Sequence, residues 1–157
     1  MDNTHEVRLA DLWPAMEEQL NNGKMVRFQP QGTSMLPMLR PGVDTVLLKK
    51  APDMLKKNDL PLYIRADGSF VLHRIVGIKN GKYIMCGDNQ WKLEYNILPE
   101  QILGVTQGFY RGEKYVSSDN FFYRTYCTIR TGMLKLRILP SRVKNKIKKY
   151  VKIQKKC

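Results

Sequence analysis

The chain has 157 residues, of which 43% are hydrophobic and 26% are charged, and this composition predicts one compact domain rather than a disordered or fibrous chain. Its three cysteines lie far apart and only two histidines accompany them, so neither a disulfide framework nor a metal site is expected, and no cofactor is predicted. The formal net charge is +13, and most of it lies in residues 119–157, where 12 Lys and Arg residues accompany a single Asp.

A membrane-spanning helix is not expected in this sequence. No run approaches the roughly 20 apolar residues that cross a bilayer as a helix. The first residues, MDNTHEVRLADLW, lack the charged and then apolar pattern of an export signal. The cytoplasm is therefore the expected location.

The first predicted element is an amphipathic helix that begins near Val7 and ends at residues 21–23, Asn-Asn-Gly. Pro14 leaves a second possibility, in which the helix begins at this proline. The prediction depends on apolar residues that recur at the spacing of one helical face, namely Leu9, Leu12, Trp13, Met16 and Leu20.

Residues 24–116 change to short strand-like runs separated by turn residues, which predicts a mainly β, antiparallel body. The pairs Asp67-Gly68 and Asn80-Gly81 favour tight hairpins, and they bracket the run that contains His73. That run is therefore predicted to be the central strand of a three-stranded meander. The six runs are MVRFQ, DTVLLK, LPLYIR, FVLHRIVGI, KYIMC and ILGVTQGFY.

The C-terminal part, residues 119–157, is predicted to be a basic helical tail that follows a domain of residues 1–118. Pro140 separates two helical pieces, and the second piece has apolar residues on one side and lysines on the other. This pattern favours an anionic membrane surface over nucleic acid, and the aromatic residues Phe121, Phe122, Tyr123 and Tyr126 are expected to take part. The alternative is that one helix packs on the β body.

A serine lies in an unusual setting, Gly32-Thr33-Ser34-Met35-Leu36-Pro37, followed by Leu39 and Gly42. A serine in a Gly- and Pro-rich turn often only stabilises the turn through its hydroxyl. The segment, however, resembles the nucleophile box Gly-x-Ser-Met-x-Pro-x-Leu of type I signal peptidases and of the LexA-type self-cleaving repressors. The resemblance implies that Ser34 is a catalytic nucleophile.

Two further segments extend the resemblance to about residues 24–110. The sequence Val-Leu-His-Arg-Ile-Val-Gly at 71–77 matches the place of the general base, which is lysine in most bacterial signal peptidases and histidine in other branches. The Gly-Asp-Asn sequence at 87–89 is similar to the box that closes the catalytic domain. The resemblance thus implies the β-rich peptidase fold, with His73 as the base; Arg74, beside it, is expected to be a solvated strand residue.

The chemistry explains these residue types. A serine hydroxyl needs a base within hydrogen-bond reach, and a histidine with a pKa near about 6.5 can serve. A carboxylate then holds the histidine tautomer, and the candidates are Asp88 and Glu94, of which Asp88 is preferred. Backbone amides of the turn formed by Gly32, Thr33, Ser34 and Met35 are expected to stabilise the oxyanion. Met35, Leu36 and Met38 are expected to line a substrate cleft, although methionine is often core filling.

The predicted function is that of a serine endopeptidase that cleaves a leader, signal or pro-peptide segment in the cytoplasm, with the tail holding the enzyme at the inner face of the membrane. Neither the membrane anchor of signal peptidases nor the DNA-binding domain of the repressors is expected here. The alternative is a non-catalytic module that uses the same fold to bind a peptide or nucleic acid.

Overall fold

The computed structural model describes residues 9–134, and this part of the chain is mainly antiparallel β with a helix at each end, as the sequence predicts. The helices are α1 (Leu9–Asn21) and α2 (Phe121–Gly132), and a short 3-10 turn spans Pro99–Gln101. The strands are β1 (Val26–Phe28), β2 (Thr45–Lys49), β3 (Pro61–Ile64), β4 (Phe70–Leu72), β5 (Arg74–Lys79), β6 (Lys82–Cys86), β7 (Glu94–Ile97), β8 (Ile102–Arg111) and β9 (Lys114–Ser117).

The strands form two antiparallel sheets. The larger sheet has the order β1-β2-β8-β3-β4, with β9 also paired to β8, and it curls into a half-barrel. The smaller sheet has the order β5-β6-β7. The long strand β8 joins the two halves of the larger sheet, because it pairs with β2 along one part and with β3 along another.

Both predicted hairpins are present, but the single central strand between them is wrong. The turn at Asp67-Gly68 joins β3 to β4, and the turn at Asn80-Gly81 joins β5 to β6. The run between the turns breaks at His73, so that β4 belongs to the larger sheet and β5 to the smaller one. His73 lies between the two strands, at the point where the chain passes from the larger sheet to the smaller one, and it is buried there.

The helix α1 packs on the larger sheet through Trp13, Met16 and Leu20, three of the five residues from which it was predicted. Pro14 lies inside the helix, so the alternative start at this proline is wrong. Burial of an apolar stripe is what stabilises a helix of this length. The predicted start at Val7 lies outside the described residues.

The helix α2 also packs on the body. Asn120 caps it, because its side-chain oxygen accepts hydrogen bonds from the amides of Phe122 and Tyr123 at 3.0 and 3.2 Å. Tyr123 and Cys127 are buried in the same core cluster as α1. This part of the predicted tail is therefore a component of the core, while the predicted break at Pro140 and everything after residue 134 lie outside the described residues.

Among residues 9–134, no helix is long and apolar enough to cross a membrane.

Candidate active site

Ser34 lies in a turn that follows β1. Residues before and after Ser34 fix the conformation of this turn. Gly32 has a φ of +81°, a left-handed conformation that glycine adopts without strain. The side chains of Met35 and Leu39 are buried in the main core cluster, and the amide of Leu39 donates to the carbonyl of Met35 at 3.0 Å. The half-buried Ser34 is thus held at the surface by apolar residues that follow it directly.

Asn89 fixes the peptide groups on either side of Ser34. Its amide donates to the carbonyl of Ser34 at 2.7 Å, and its side-chain Nδ2 donates to the carbonyl of Thr33 at 3.2 Å. In a trans peptide the N–H points away from the C=O, so the N–H groups of Ser34 and Met35 point away from Asn89. Donors of this kind are what an oxyanion requires, and Gly32 and Thr33 are part of the same turn.

His73 faces Ser34 across Gly87. A Cβ atom placed on Gly87 would lie 3.1 Å from Nε2 of His73 and 3.1 Å from Cβ of Ser34. Only a residue without a side chain leaves this space open. The structure therefore brings together the serine, the histidine and the first residue of the Gly-Asp-Asn sequence, as the resemblance implied.

The other ring nitrogen of His73 contacts Glu94, at the start of β7. The distance from Nδ1 to Oε1 of Glu94 is 3.1 Å, and the hydroxyl of Tyr63 lies 3.3 Å from the same nitrogen. An ionised carboxylate only accepts, so the contact places the proton on Nδ1 and leaves Nε2, the nitrogen beside Gly87, as an acceptor. The tautomer is the one that a general base requires.

Asp88, the preferred candidate for orienting His73, is bound to other side chains in the structure, while Glu94 contacts the imidazole. The carboxylate of Asp88 accepts hydrogen bonds from Nε and Nη2 of Arg74 at 2.9 and 2.7 Å, and a third from the hydroxyl of Tyr126 at 3.3 Å. Asp88 and Arg74 are 3% and 1% exposed. The expectation that Arg74 is solvated is therefore wrong, because Asp88 gives its charge a buried partner.

Arg65 also contacts Glu94, and one of the two oxygens that it binds is the oxygen that contacts His73. Its Nε donates to Oε2 of Glu94 at 2.8 Å, and its Nη2 donates to Oε1. Burial alone would raise the pKa of Glu94, but the hydrogen bonds from Arg65 and Tyr63 and the charges around it bring that pKa below its ordinary value. Glu94 is thus an ionised acceptor at neutral pH.

Burial lowers the pKa of His73 below its ordinary value of 6.5, and the nearby charge of Glu94 opposes this effect only in part. The imidazole is 2% exposed. The neutral form of His73, which can accept a proton from a serine, is therefore the resting form at neutral pH.

A cleft of about 220 Å³ opens beside Ser34 and His73. Met35 lines it, as predicted, but Leu36 and Met38 are not among its lining residues, and Met38 packs against the core instead. The apolar part of its wall is formed by Pro30, Met35, Leu39, Phe70, Val71 and Leu72. The cleft is thus built mainly by β4 and the Ser34 turn.

Across residues 9–134, no group of three or more His, Cys, Asp or Glu side chains is arranged to hold a metal ion. Comparison of the chain with protein-family models, with curated proteins and with solved structures gave no match.

Proposed function

We propose that this protein is a serine peptidase in which Ser34 is the nucleophile, His73 the general base and Glu94 the residue that orients the base. The observation that carries the proposal is the arrangement around one imidazole. Its Nε2 faces Ser34 across the space left by Gly87, while its Nδ1 contacts an ionised carboxylate. A histidine that is buried only to fill the core needs neither a serine near its Nε2 nor a carboxylate at its Nδ1.

The reaction would proceed through an acyl-enzyme. Oγ of Ser34 attacks the carbonyl carbon of the scissile peptide, and its proton passes to Nε2 of His73. The oxyanion forms toward the amides of Ser34 and Met35, and Glu94 stabilises the imidazolium. The proton then passes to the leaving amine, and a water molecule, deprotonated by the same imidazole, hydrolyses the ester and restores Ser34.

The expected substrate is a leader, signal or pro-peptide segment of a peptide or protein. Two features support an extended chain with small or apolar side chains as the substrate: the residues Phe70, Val71 and Leu72, which form one apolar part of a largely polar cleft, and the resemblance of residues 24–110 to processing peptidases. The alternative, a peptide-binding module without catalysis, uses the same cleft but does not require a neutral base beside the serine.

Cleavage assays on serine and histidine variants test the proposal. A mixed peptide library, followed by mass spectrometry, should show cleavage by the wild-type chain and none by Ser34→Ala or His73→Ala. The double variant should be no worse than either single one, because a nucleophile and its base act as a unit. Ser69→Ala, which changes a serine in the β3–β4 turn, is the matched control and should retain turnover. Turnover by Ser34→Ala would exclude this serine as the nucleophile.

We also propose that the protein binds peripherally to an anionic membrane through residues 119–157. Phe121 and Phe122 support this, because they are 75% and 80% exposed at the start of α2, and residues 119–157 are strongly basic. Tyr123 and Tyr126 cannot contribute as the sequence suggested, since the first is buried and the second bonds to Asp88. Phe121 and Phe122 are thus the two of these four aromatic residues that are left to contact the membrane.

A further inference from the structure

We propose that Arg65 is a positioning residue of the active site, which clamps the carboxylate of Glu94 so that Oε1 stays on Nδ1 of His73. The inference rests on the proposed peptidase function. Nothing in the sequence around Arg65 points to this role, because the residue lies in an ordinary turn sequence between two strands.

Arg65 contacts both carboxylate oxygens of Glu94. The guanidinium donates from Nε to one carboxylate oxygen and from Nη2 to the other, and the second of these oxygens also faces His73. Paired parallel hydrogen bonds of this kind fix the plane of a carboxylate as well as its position. Arg65 therefore determines which way Glu94 presents its oxygen to the imidazole.

The main chain at Arg65 is itself fixed. Its amide donates to the carbonyl of Ser69 at 2.9 Å, and its carbonyl accepts from the amide of Gly68 at 2.9 Å, within the turn between β3 and β4. The same hairpin continues through β4 to His73. Arg65 lies in this hairpin and His73 directly follows it, while Glu94 comes from the smaller sheet.

Glu94 needs such a clamp more than an aspartate would. A glutamate has one more rotatable bond, and holding it in a single rotamer costs side-chain entropy. Glu94 is 15% exposed on its side chain, so water can compete for its oxygens. The guanidinium of Arg65 keeps the carboxylate of Glu94 in the orientation that its contact with Nδ1 of His73 requires.

Arg65 also acts on His73 through its charge. The charged or titratable groups around the imidazole are Glu94 from β7, Tyr63 from β3, Asp88 from the turn after β6, and Arg65 itself. Arg65 lowers the pKa of His73, whereas the two carboxylates raise it. Removal of Arg65 and removal of Glu94 should therefore shift the titration of His73 in opposite directions.

A substrate contact is the competing role, because Arg65 lines the cleft beside Ser34 and also the neighbouring pocket that contains Trp91. The two roles differ in kinetics. Loss of a clamp on Glu94 impairs the chemical step and lowers kcat, whereas loss of a substrate contact that is equally strong in the ground and transition states raises KM alone.

The test is an NMR titration of His73, joined to kinetics. The chain has only two histidines, so an untagged full chain with His5→Gln gives a single imidazole signal. In this background, Arg65→Gln should raise the midpoint and Glu94→Gln should lower it. Arg65→Lys keeps the charge but not the two-point contact, so it should titrate like the parent and still lose kcat. Arg27→Gln, a variant of an arginine that bonds to Tyr110, is the control.

We expect Arg65→Gln to lower kcat by about 10- to 100-fold with little change in KM, as a small misplacement of a catalytic group does. Thermal melting of each variant checks that the fold is intact. An unchanged titration of His73 in Arg65→Gln, or a rise in KM with kcat unaltered in that variant, would overturn the inference. If the parent chain cleaves nothing, the titrations still report whether Arg65 and Glu94 act on His73, so the failure of this inference can be told apart from failure of the peptidase proposal.

Discussion

Arg74 and Asp88 form a buried ion pair, with both carboxylate oxygens engaged at 2.9 and 2.7 Å and less than 4% of either residue exposed. The same guanidinium reaches Tyr123 and Cys127 of α2 from its Nη1, at 3.2 and 2.9 Å. The pair therefore joins the smaller sheet, the turn that faces Ser34 and the C-terminal helix. These contacts distinguish Asp88 from Glu94, which contacts His73 instead, a distinction that the sequence alone could not make.

Asp88→Asn should destabilise the fold. The substitution leaves the charge of Arg74 buried without its partner, and breaking a buried pair in this way typically costs about 3–5 kcal/mol. Urea denaturation measures the free energy of unfolding, and Asp53→Asn, at an exposed position, is the control. A variant that is as stable as the parent but inactive would return the catalytic role to Asp88.

Glu94→Gln should lower kcat/KM by roughly 10²–10⁴-fold, because an amide neither holds the proton on Nδ1 nor stabilises the imidazolium. Steady-state kinetics on a cleaved peptide provide the measurement. Glu100→Gln, at an exposed position in the 3-10 turn, is the matched control. Equal activity of Glu94→Gln and Glu100→Gln would contradict a catalytic role for Glu94.

The pH dependence of kcat/KM should follow the neutral form of His73. Because burial lowers the pKa of this residue below 6.5, activity should rise with pH to a plateau, with a midpoint below 6.5. Activity is lost as the pH falls through that midpoint, since the imidazolium cannot accept a proton. A profile that rises only above about pH 9 would point to a lysine as the base.

Gly87→Ala should abolish turnover. The added methyl group would lie 2.7 Å from the carbonyl oxygen of Ser34, and it would enter the space between Ser34 and Nε2 of His73. Gly132→Ala is the control, because a Cβ there meets no atom within 4 Å and helix propensity favours the change. Unaltered kinetics in Gly87→Ala would contradict the geometry proposed for the serine and the histidine.

Full-length protein should co-sediment with anionic vesicles, and substitution of Phe121 and Phe122 by serine should weaken this binding. Each basic residue near such a surface contributes about 1 kcal/mol, so binding should also fall as salt rises. A truncation at Ser118 is a poor test, because it removes Tyr123 and Cys127 from the core.

The control for this experiment replaces Leu12 and Met25, which are 46% and 55% exposed, by serine. Equal loss in both double variants, or binding of the full chain to duplex DNA but not to anionic vesicles, would contradict the membrane assignment.

The local features of the fold could be predicted from the sequence. The stripe on α1 and the two hairpin turns depend on residues within a few positions of one another, and both are present. The break at His73 could not be predicted, because it depends on the pairing of β4 and β5 with strands of two different sheets. No turn residue marks it.

The candidate site was predictable only in part for the same reason. The motif containing Ser34 and the strand run containing His73 can be read directly from the sequence. The choice of Glu94 depends on the pairing of β6 with β7, which places Glu94 opposite Met85. Tyr63 and Arg65 were missed, although the turn at Asp67-Gly68 pairs β3 with the strand that leads to His73, and this signal could have suggested Tyr63.

The most direct test of Ser34 as nucleophile and His73 as base is covalent labelling of Ser34 in the full chain. A fluorophosphonate forms a stable ester only with a serine whose hydroxyl is activated by a neighbouring base. We expect one adduct per chain, mapped to Ser34 by mass spectrometry, absent from His73→Ala and present in Ser69→Ala. An adduct that persists in His73→Ala, or an adduct on another serine, would contradict the assignment of Ser34 and His73 as nucleophile and base.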